Sequence, residues 1–187
     1  METRAVIIEE YGHADQLKES TVTLPQLGEH QVVVKVAATS VNPIDWKLRE
    51  GYLAQMMPWD FPIILGWDVA GEIVEIGSAV TDWKVGQKVF ARPETTRFGT
   101  YADYTIVDDH LLAVKPKNIS FEDAAAVPLA GLTAYQALFT HGQLKAGEKV
   151  LIHAGAGGVG IYAIQLAKNA GATVITTASE KNHALLK

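Results

Sequence analysis

The stretch VLIHAGAGGVGIYAIQLAKNAG, residues 150–171, restricts the fold more than any other part of the chain. A short apolar run, Val150 to Ile152, passes through Gly155-x-Gly157-x-x-Gly160 straight into a helical pattern. That pattern predicts a helix with Val159, Ala163, Leu166 and Ala170 on one face and Gly171 as its stop. ATVITTAS follows as a second strand, and EKNHALLK predicts the start of another helix. Strand, helix, strand, helix, with strands apolar on both sides, is the order of a parallel sheet covered by helices. Two such strands are too few for an open doubly wound sheet, so the reading is of a sheet begun here and completed elsewhere.

Glycines at this spacing, after a strand and opening a helix, fit a dinucleotide. The first permits the tight turn, the second clears space for a pyrophosphate, and the third allows close helix–strand packing. Gly155, Gly157, Gly158, Val159 and Gly160 are therefore the candidate phosphate contacts, at a helix N-terminus whose amides suit anions. An acid near the end of the second strand would hold the ribose hydroxyls of NAD. Here Ser179 falls near that position, and Lys181 offers a cation to a 2′-phosphate, which favours NADPH. Glu180 argues for NADH, because one residue of slippage restores the acid.

Upstream the character differs. RAVIIEEYG, HQVVVKVAATSV, ILGWDVAGEIVEIG, GQKVFAR and TYADYTIVDDHLLAV are Val-, Ile- and Tyr-rich runs broken by turn residues, which predicts a small barrel or sandwich. From Asn118 the pattern turns helical. Ser120-x-x-Asp123 predicts a capping box ahead of AAAVPLAGLTAYQAL, and Pro128 should divide that stretch into two helical pieces.

Sixteen basic against twenty-one acidic residues, a net charge of −5, argues against a nucleic-acid surface. No apolar run reaches the length of a membrane span, and the start lacks a signal-peptide layout, so the expectation is cytosolic. Without cysteine there is neither a thiolate nucleophile nor a thiolate metal site, and no G-x-S-x-G elbow suggests a hydrolase. The six histidines are scattered singly and read as surface or turn residues.

SVNPIDWKLREG (40–51), ILGWDVAGEIVEIGSAV (64–80), AAAVPLAGLTAYQAL (124–138) and VLIHAGAGGVG (150–160) together resemble the zinc-independent, zeta-crystallin-type quinone oxidoreductases of the medium-chain dehydrogenase/reductase superfamily. The resemblance implies a GroES-like, β-rich catalytic domain over 1–122 and the first part of a Rossmann domain over 123–187, an α/β fold with a β-rich part. Chains of that family usually run longer, so truncation within the Rossmann domain is expected. Zinc-dependent relatives carry cysteine near 42 and histidine near 67, where this sequence has Asn42 and Trp67, so no zinc is expected. Lacking a Lewis acid, such a chain suits reduction of a quinone or other electron-poor carbonyl-conjugated acceptor better than alcohol oxidation.

By the same resemblance Asn42 lines the cleft, facing the nicotinamide ribose or the substrate, against an ordinary Asn-Pro turn role. Tyr52 would hydrogen-bond the acceptor oxygen, against simple packing, and Thr133 would contact the nicotinamide end. Asp45 has no evident partner beyond a structural salt bridge to Arg49. The four tryptophans read as packing residues, and MMPWDFP as a core loop or the rim of the substrate mouth. An enal or enoyl double-bond reductase, and a non-catalytic NADPH-binding protein, remain open alternatives. A homodimer is the assembly the resemblance suggests.

Overall fold

The computed structural model describes residues 1–186. They form two compact units, Met1–Pro128 and the segment from Leu129 onward. The expected boundary at 122/123 lies a little earlier. The difference is the helix α2, whose Ala124 and Ala125 pack on Ala70 of the first unit.

In chain order the first unit contains β1 (Glu2–Ile8), β2 (Lys18–Thr23), β3 (Gln31–Ala38), α1 (Pro43–Arg49), β4 (Ile63–Ile64), β5 (Val69–Ile76), β6 (Lys88–Ala91), β7 (Tyr104–Asp108), β8 (Leu112–Val114) and α2 (Phe121–Ala125). Two antiparallel sheets result, ordered β2-β1-β4 and β7-β3-β5-β6-β8. The Val-rich runs predicted as strands are the strands. Val32, Val34, Val69, Ile73, Val89 and Val107 close the core of the larger sheet. Ile8, Leu48, Ile63, Leu65 and Trp67 form a second core around α1, with Trp59 and Met57 partly buried against it. MMPWDFP therefore contributes to packing, although Met56 itself is exposed.

The second unit holds α3 (Pro128–Tyr135, whose first residue closes the first unit), a wider π turn over Gln136–His141, β9 (Lys149–Ile152), α4 (Gly158–Asn169), β10 (Thr173–Thr176) and the short α5 (His183–Leu186). β9 and β10 pair in parallel, Thr173 opposite Lys149 through Thr176 opposite Ile152. The helix predicted over EKNHALLK forms as far as Leu186; Lys187 lies outside the described residues. Gly171, at φ +80°, ends α4 in the left-handed region that glycine tolerates.

The face of α4 differs from expectation at its first position. Gly160, Ala163 and Ala167 are buried, whereas Val159 is exposed. The glycine turn decides this: Gly160 must lie against the loop, so the packed stripe starts there rather than at Val159, while Ala163 and Leu166 pack as expected.

Pro128 divides the helical stretch as predicted, and the capping box forms. The Asp123 amide donates to Ser120 Oγ at 2.9 Å, and the Ser120 amide to Asp123 at 3.4 Å. Ser120→Ala should therefore cost about 1 kcal/mol, read as a lower urea midpoint at unchanged slope. An unchanged midpoint would mean that the packing of Ala124 and Ala125 alone holds α2.

Candidate functional site

In the first unit Asn42 lies in a buried polar network with Asp45 and Asp68, and Tyr52 lies outside it. The segment Arg97–Tyr101 runs against 64–66 through four backbone bonds. Ile64 donates to Arg97 O, Gly99 to Ile64 O, Thr100 to Gly66 O and Tyr101 to Leu65 O. Gly66 makes this approach feasible. It sits at φ +88°, and a Cβ there would stand 2.4 Å from the Tyr101 ring and 2.6 Å from Thr100 Oγ1. Thr100 and Tyr101 are thereby delivered beside the start of β5 and the N-terminus of α1.

Two carboxylates lie inside, Asp45 at 3% exposure and Asp68 at 0%. Asp68 Oδ2 accepts from Ser40 Oγ at 2.5 Å and from Asn42 Nδ2 at 2.7 Å, and Asn42 Nδ2 is 3.0 Å from Ser40 Oγ. Thr39 donates to the Asp68 carbonyl at 2.7 Å and is equally close to the Thr100 hydroxyl. Asp45 Oδ2 accepts the Asn42 backbone N–H at 2.6 Å and the Tyr101 hydroxyl at 2.9 Å, while its Oδ1 is buried without a hydrogen-bond partner.

Burial pushes the Asp45 carboxyl above its ordinary range, more than the bonds from Asn42 and Tyr101 pull it down, and Asp68 adds to the rise. Burial, followed by the Asp45 charge, likewise holds the Tyr101 phenol far above its usual value.

The expected Asp45–Arg49 salt bridge does not form. Arg49 donates instead to Glu50 at 2.8 Å and to the Gly12 carbonyl. Asp45 at the third helical position reaches back to the α1 N-terminus, as a capping carboxylate does. Asn42 is the N-cap residue of α1 and shares a capping box with Asp45, while its amide nitrogen reaches Asp68. Asp68, Ser40 and Tyr101 escaped the sequence reading. Asp68 did leave a signal, as an acid inside the apolar run ILGWDVAG, where a buried charge needs partners.

Tyr52 is 70% exposed and meets Trp46 edge-on at 5.9 Å. Trp67 is fully buried, with its indole N–H on the Thr96 carbonyl at 3.1 Å. All six histidines are exposed. Among the described residues no group of three His, Asp or Glu side chains is placed to hold a metal, and no helix is long and apolar enough to cross a membrane.

In the second unit the glycine positions divide by what a side chain would strike. A Cβ on Gly155 would meet Thr176 Oγ1 at 2.1 Å, and one on Gly160 would meet the Ala154 carbonyl at 2.4 Å. Gly157 is less restricted, at 3.2 Å from Ala154 O, and Gly158 opens onto empty space. Gly155 and Gly160 are thus required by the turn itself, while Gly157 and Gly158 leave bare backbone at the N-terminus of a 12-residue helix. The first amide bonded within α4 is that of Ile161, to Gly157 O at 3.0 Å, and Gly157 supplies no side-chain cap. This arrangement fits a pyrophosphate.

Thr133 is exposed on α3, its hydroxyl donating to the Leu129 carbonyl at 2.7 Å. Ser179 precedes a single turn and accepts from Asn182 Nδ2 at 3.2 Å; Glu180 and Lys181 are both exposed beside it.

Antiparallel sheets enclosing a polar network, and a strand–glycine turn–helix unit downstream, define a two-part dehydrogenase-like chain. Residues 28–117 match the alcohol dehydrogenase GroES-like domain, and the chain as a whole is similar to the quinone-oxidoreductase-like members of the medium-chain dehydrogenase/reductase superfamily.

It is similar to a chloroplastic quinone-oxidoreductase homolog of Spinacia oleracea, 40% identical over 91% of this chain and 54% of the relative. It is also similar to the chloroplastic NADPH-dependent alkenal/one oxidoreductase of Arabidopsis thaliana, 43% identical over 96% of this chain and 49% of the relative. Among solved structures, the quinone oxidoreductase from Coxiella burnetii superposes with a TM-score of 0.91 at 42% identity, covering 100% of this chain and 59% of that one. The chain spans about half the length of the curated relatives it matches.

Proposed function

We propose that the protein acts as an NADPH-dependent, zinc-independent reductase of quinones or other carbonyl-conjugated acceptors. In this reading Met1–Pro128 serves as the catalytic domain and the segment from Leu129 onward begins the nucleotide-binding domain. The observation that carries it is the bare, uncapped start of α4 at Gly157 and Gly158, set beyond a parallel strand. The names of the spinach and Arabidopsis relatives support the acceptor class, and that of the Arabidopsis relative supports NADPH.

The glycine turn, with the amides of Gly158, Val159 and Gly160, would hold the pyrophosphate, and Ser179 and Lys181 the 2′-phosphate. Thr133 and Asn42 are assigned to the nicotinamide end and Tyr52 to the acceptor oxygen. The bound nicotinamide supplies a hydride. The protein's share is to place the two reactants, exclude water and hold the acceptor's developing charge. The apolar, T-shaped Trp46–Tyr52 pair suits a flat conjugated acceptor. The Arabidopsis relative's name favours an alkenal or enone as the second reading of the substrate. We extend the proposal to a cytosolic setting and to pairing with a second copy.

The test is a titration with NADPH and with NADH, followed by the fluorescence of the reduced nicotinamide. NADPH should bind about tenfold or more tightly than NADH, a difference of about 1.4 kcal/mol, and Lys181→Ala should remove most of that preference. Tighter NADH binding would assign the ribose to Glu180 and end the 2′-phosphate assignment. Turnover of a quinone series against an enone series then decides between the two substrate readings.

A further inference from the structure

Two threonines at the end of β10 grip the start of the glycine turn from opposite faces. Thr176 Oγ1 donates to the Ile152 carbonyl at 2.7 Å, on the side where a Cβ on Gly155 would strike it. Neighbouring strand residues point to opposite faces, so Thr177 approaches the turn from the other side. Its N–H donates to Ile152 O at 3.2 Å, and its carbonyl accepts the Gly155 N–H at 2.9 Å. Its hydroxyl accepts the Ala154 N–H at 3.2 Å and lies 3.1 Å from His153 Nδ1.

Ala154 is the strained residue of the turn. Its φ is +54°, in the left-handed region, where a Cβ is penalised and glycine is not. Such a conformation persists only when the surroundings over-determine it. Thr177 Oγ1 holds the Ala154 N–H, and the Ala154 carbonyl accepts the Gly157 N–H at 2.9 Å. The course of the chain at Ala154 therefore sets where Gly157 and Gly158 present their bare backbone.

We propose that Thr177 is a positioning residue, whose hydroxyl keeps Ala154 left-handed and so shapes the glycine turn for a pyrophosphate. It acts through the turn and not on the ligand. This rests on the reading above that the turn holds the pyrophosphate of a nicotinamide dinucleotide. NADPH and NADH share that group, so Thr177 serves both alike, whereas Lys181 separates them.

The test is a double-mutant cycle read by nucleotide binding. Thr177→Val removes the hydroxyl, keeps the branched shape, and should weaken NADPH and NADH equally, each about fivefold. In an Ala154→Gly background the same substitution should cost less than about twofold, because glycine adopts the left-handed conformation unaided. Thr177→Ser keeps the hydroxyl and should recover most of the affinity. An equal loss in both backgrounds would overturn the proposal, as would a serine variant as weak as the valine one. A loss confined to NADPH would also overturn it, by placing Thr177 at the 2′-phosphate.

A second readout needs no ligand. The Ala154 Cα and Cβ chemical shifts report its backbone angles; they should move in Thr177→Val and return in Thr177→Ser. Unmoved shifts in Thr177→Val would overturn the proposal. If the parent binds neither nicotinamide nucleotide, the functional reading fails, and these shifts still decide whether the hydroxyl holds Ala154.

Discussion

Gly160→Val is expected to strip amide protection from β9, β10 and the first turns of α4. The strands and helix meet here with no room for a side chain: a single Cβ would stand 2.4 Å from the Ala154 carbonyl and 2.8 Å from Gly155 Cα. Both are backbone atoms, so nothing can swing aside, and relief requires moving α4 off β9. Overpacking of this kind costs about 3 kcal/mol when the obstruction is rigid. In a segment this small that corresponds to a melting shift of about 12 °C or more. Gly158→Ala is the contrast, because its Cβ would enter open space. Melting should stay within about 1 °C of the parent, while NADPH affinity falls, since the methyl group fills the space assigned to the phosphates. Equal loss of protection in both variants would refute the division between turn-forming and ligand-facing glycines. Loss of neither stability nor affinity in Gly158→Ala would move the phosphate elsewhere.

The glycine turn was legible because its requirements are local. Strand, turn and helix follow one another in the chain, and the spacing of the glycines reports the steric limits directly. The packed face of α4 was read correctly at Ala163 and Leu166 and misread at Val159, where hydrophobicity pointed, because the stripe begins at a glycine that carries no hydrophobic signal. β2 was missed for a related reason: Lys18–Thr23 is a mostly exposed edge strand, with polar residues on both faces. For α1, Asn42, Pro43 and Asp45 are ordinary helix-start residues, but the helix is too short to show periodicity.

The polar network lay further out of reach. It joins residues 39–45, 66–68 and 100–101, and only the folded backbone of Gly66 and Gly99 brings the last group in. One sequence could show that Asp68 needed partners, but not which hydroxyls would supply them. The same limit explains Arg49, chosen for Asp45 by proximity in sequence when the available partner was a tyrosine 56 residues away.

Asp45→Ala is expected to destabilise the Met1–Pro128 unit by about 3 kcal/mol, because it leaves the Asn42 N–H and the Tyr101 hydroxyl without their acceptor. Its dependence on pH carries more information than its size. Unfolded, the carboxyl titrates near its ordinary 3.8; folded, burial raises it. The folded chain therefore holds this proton at a higher pH than the unfolded chain, and the slope of unfolding free energy with pH from this group is negative. The parent gains stability as pH falls through the folded value toward 3.8 and loses it as pH rises, so the gap between parent and Asp45→Ala should widen on acidification from neutrality. Tyr101→Phe sharpens the test. It removes a hydrogen bond that lowers the Asp45 pKa, so it should cost about 1 kcal/mol and start the widening at a higher pH. Urea unfolding of the three proteins across pH 4 to 8 measures both effects. A gap that narrows toward acid would mean that Asp45 is held ionised, by charge or hydrogen bonding strong enough to outweigh its burial.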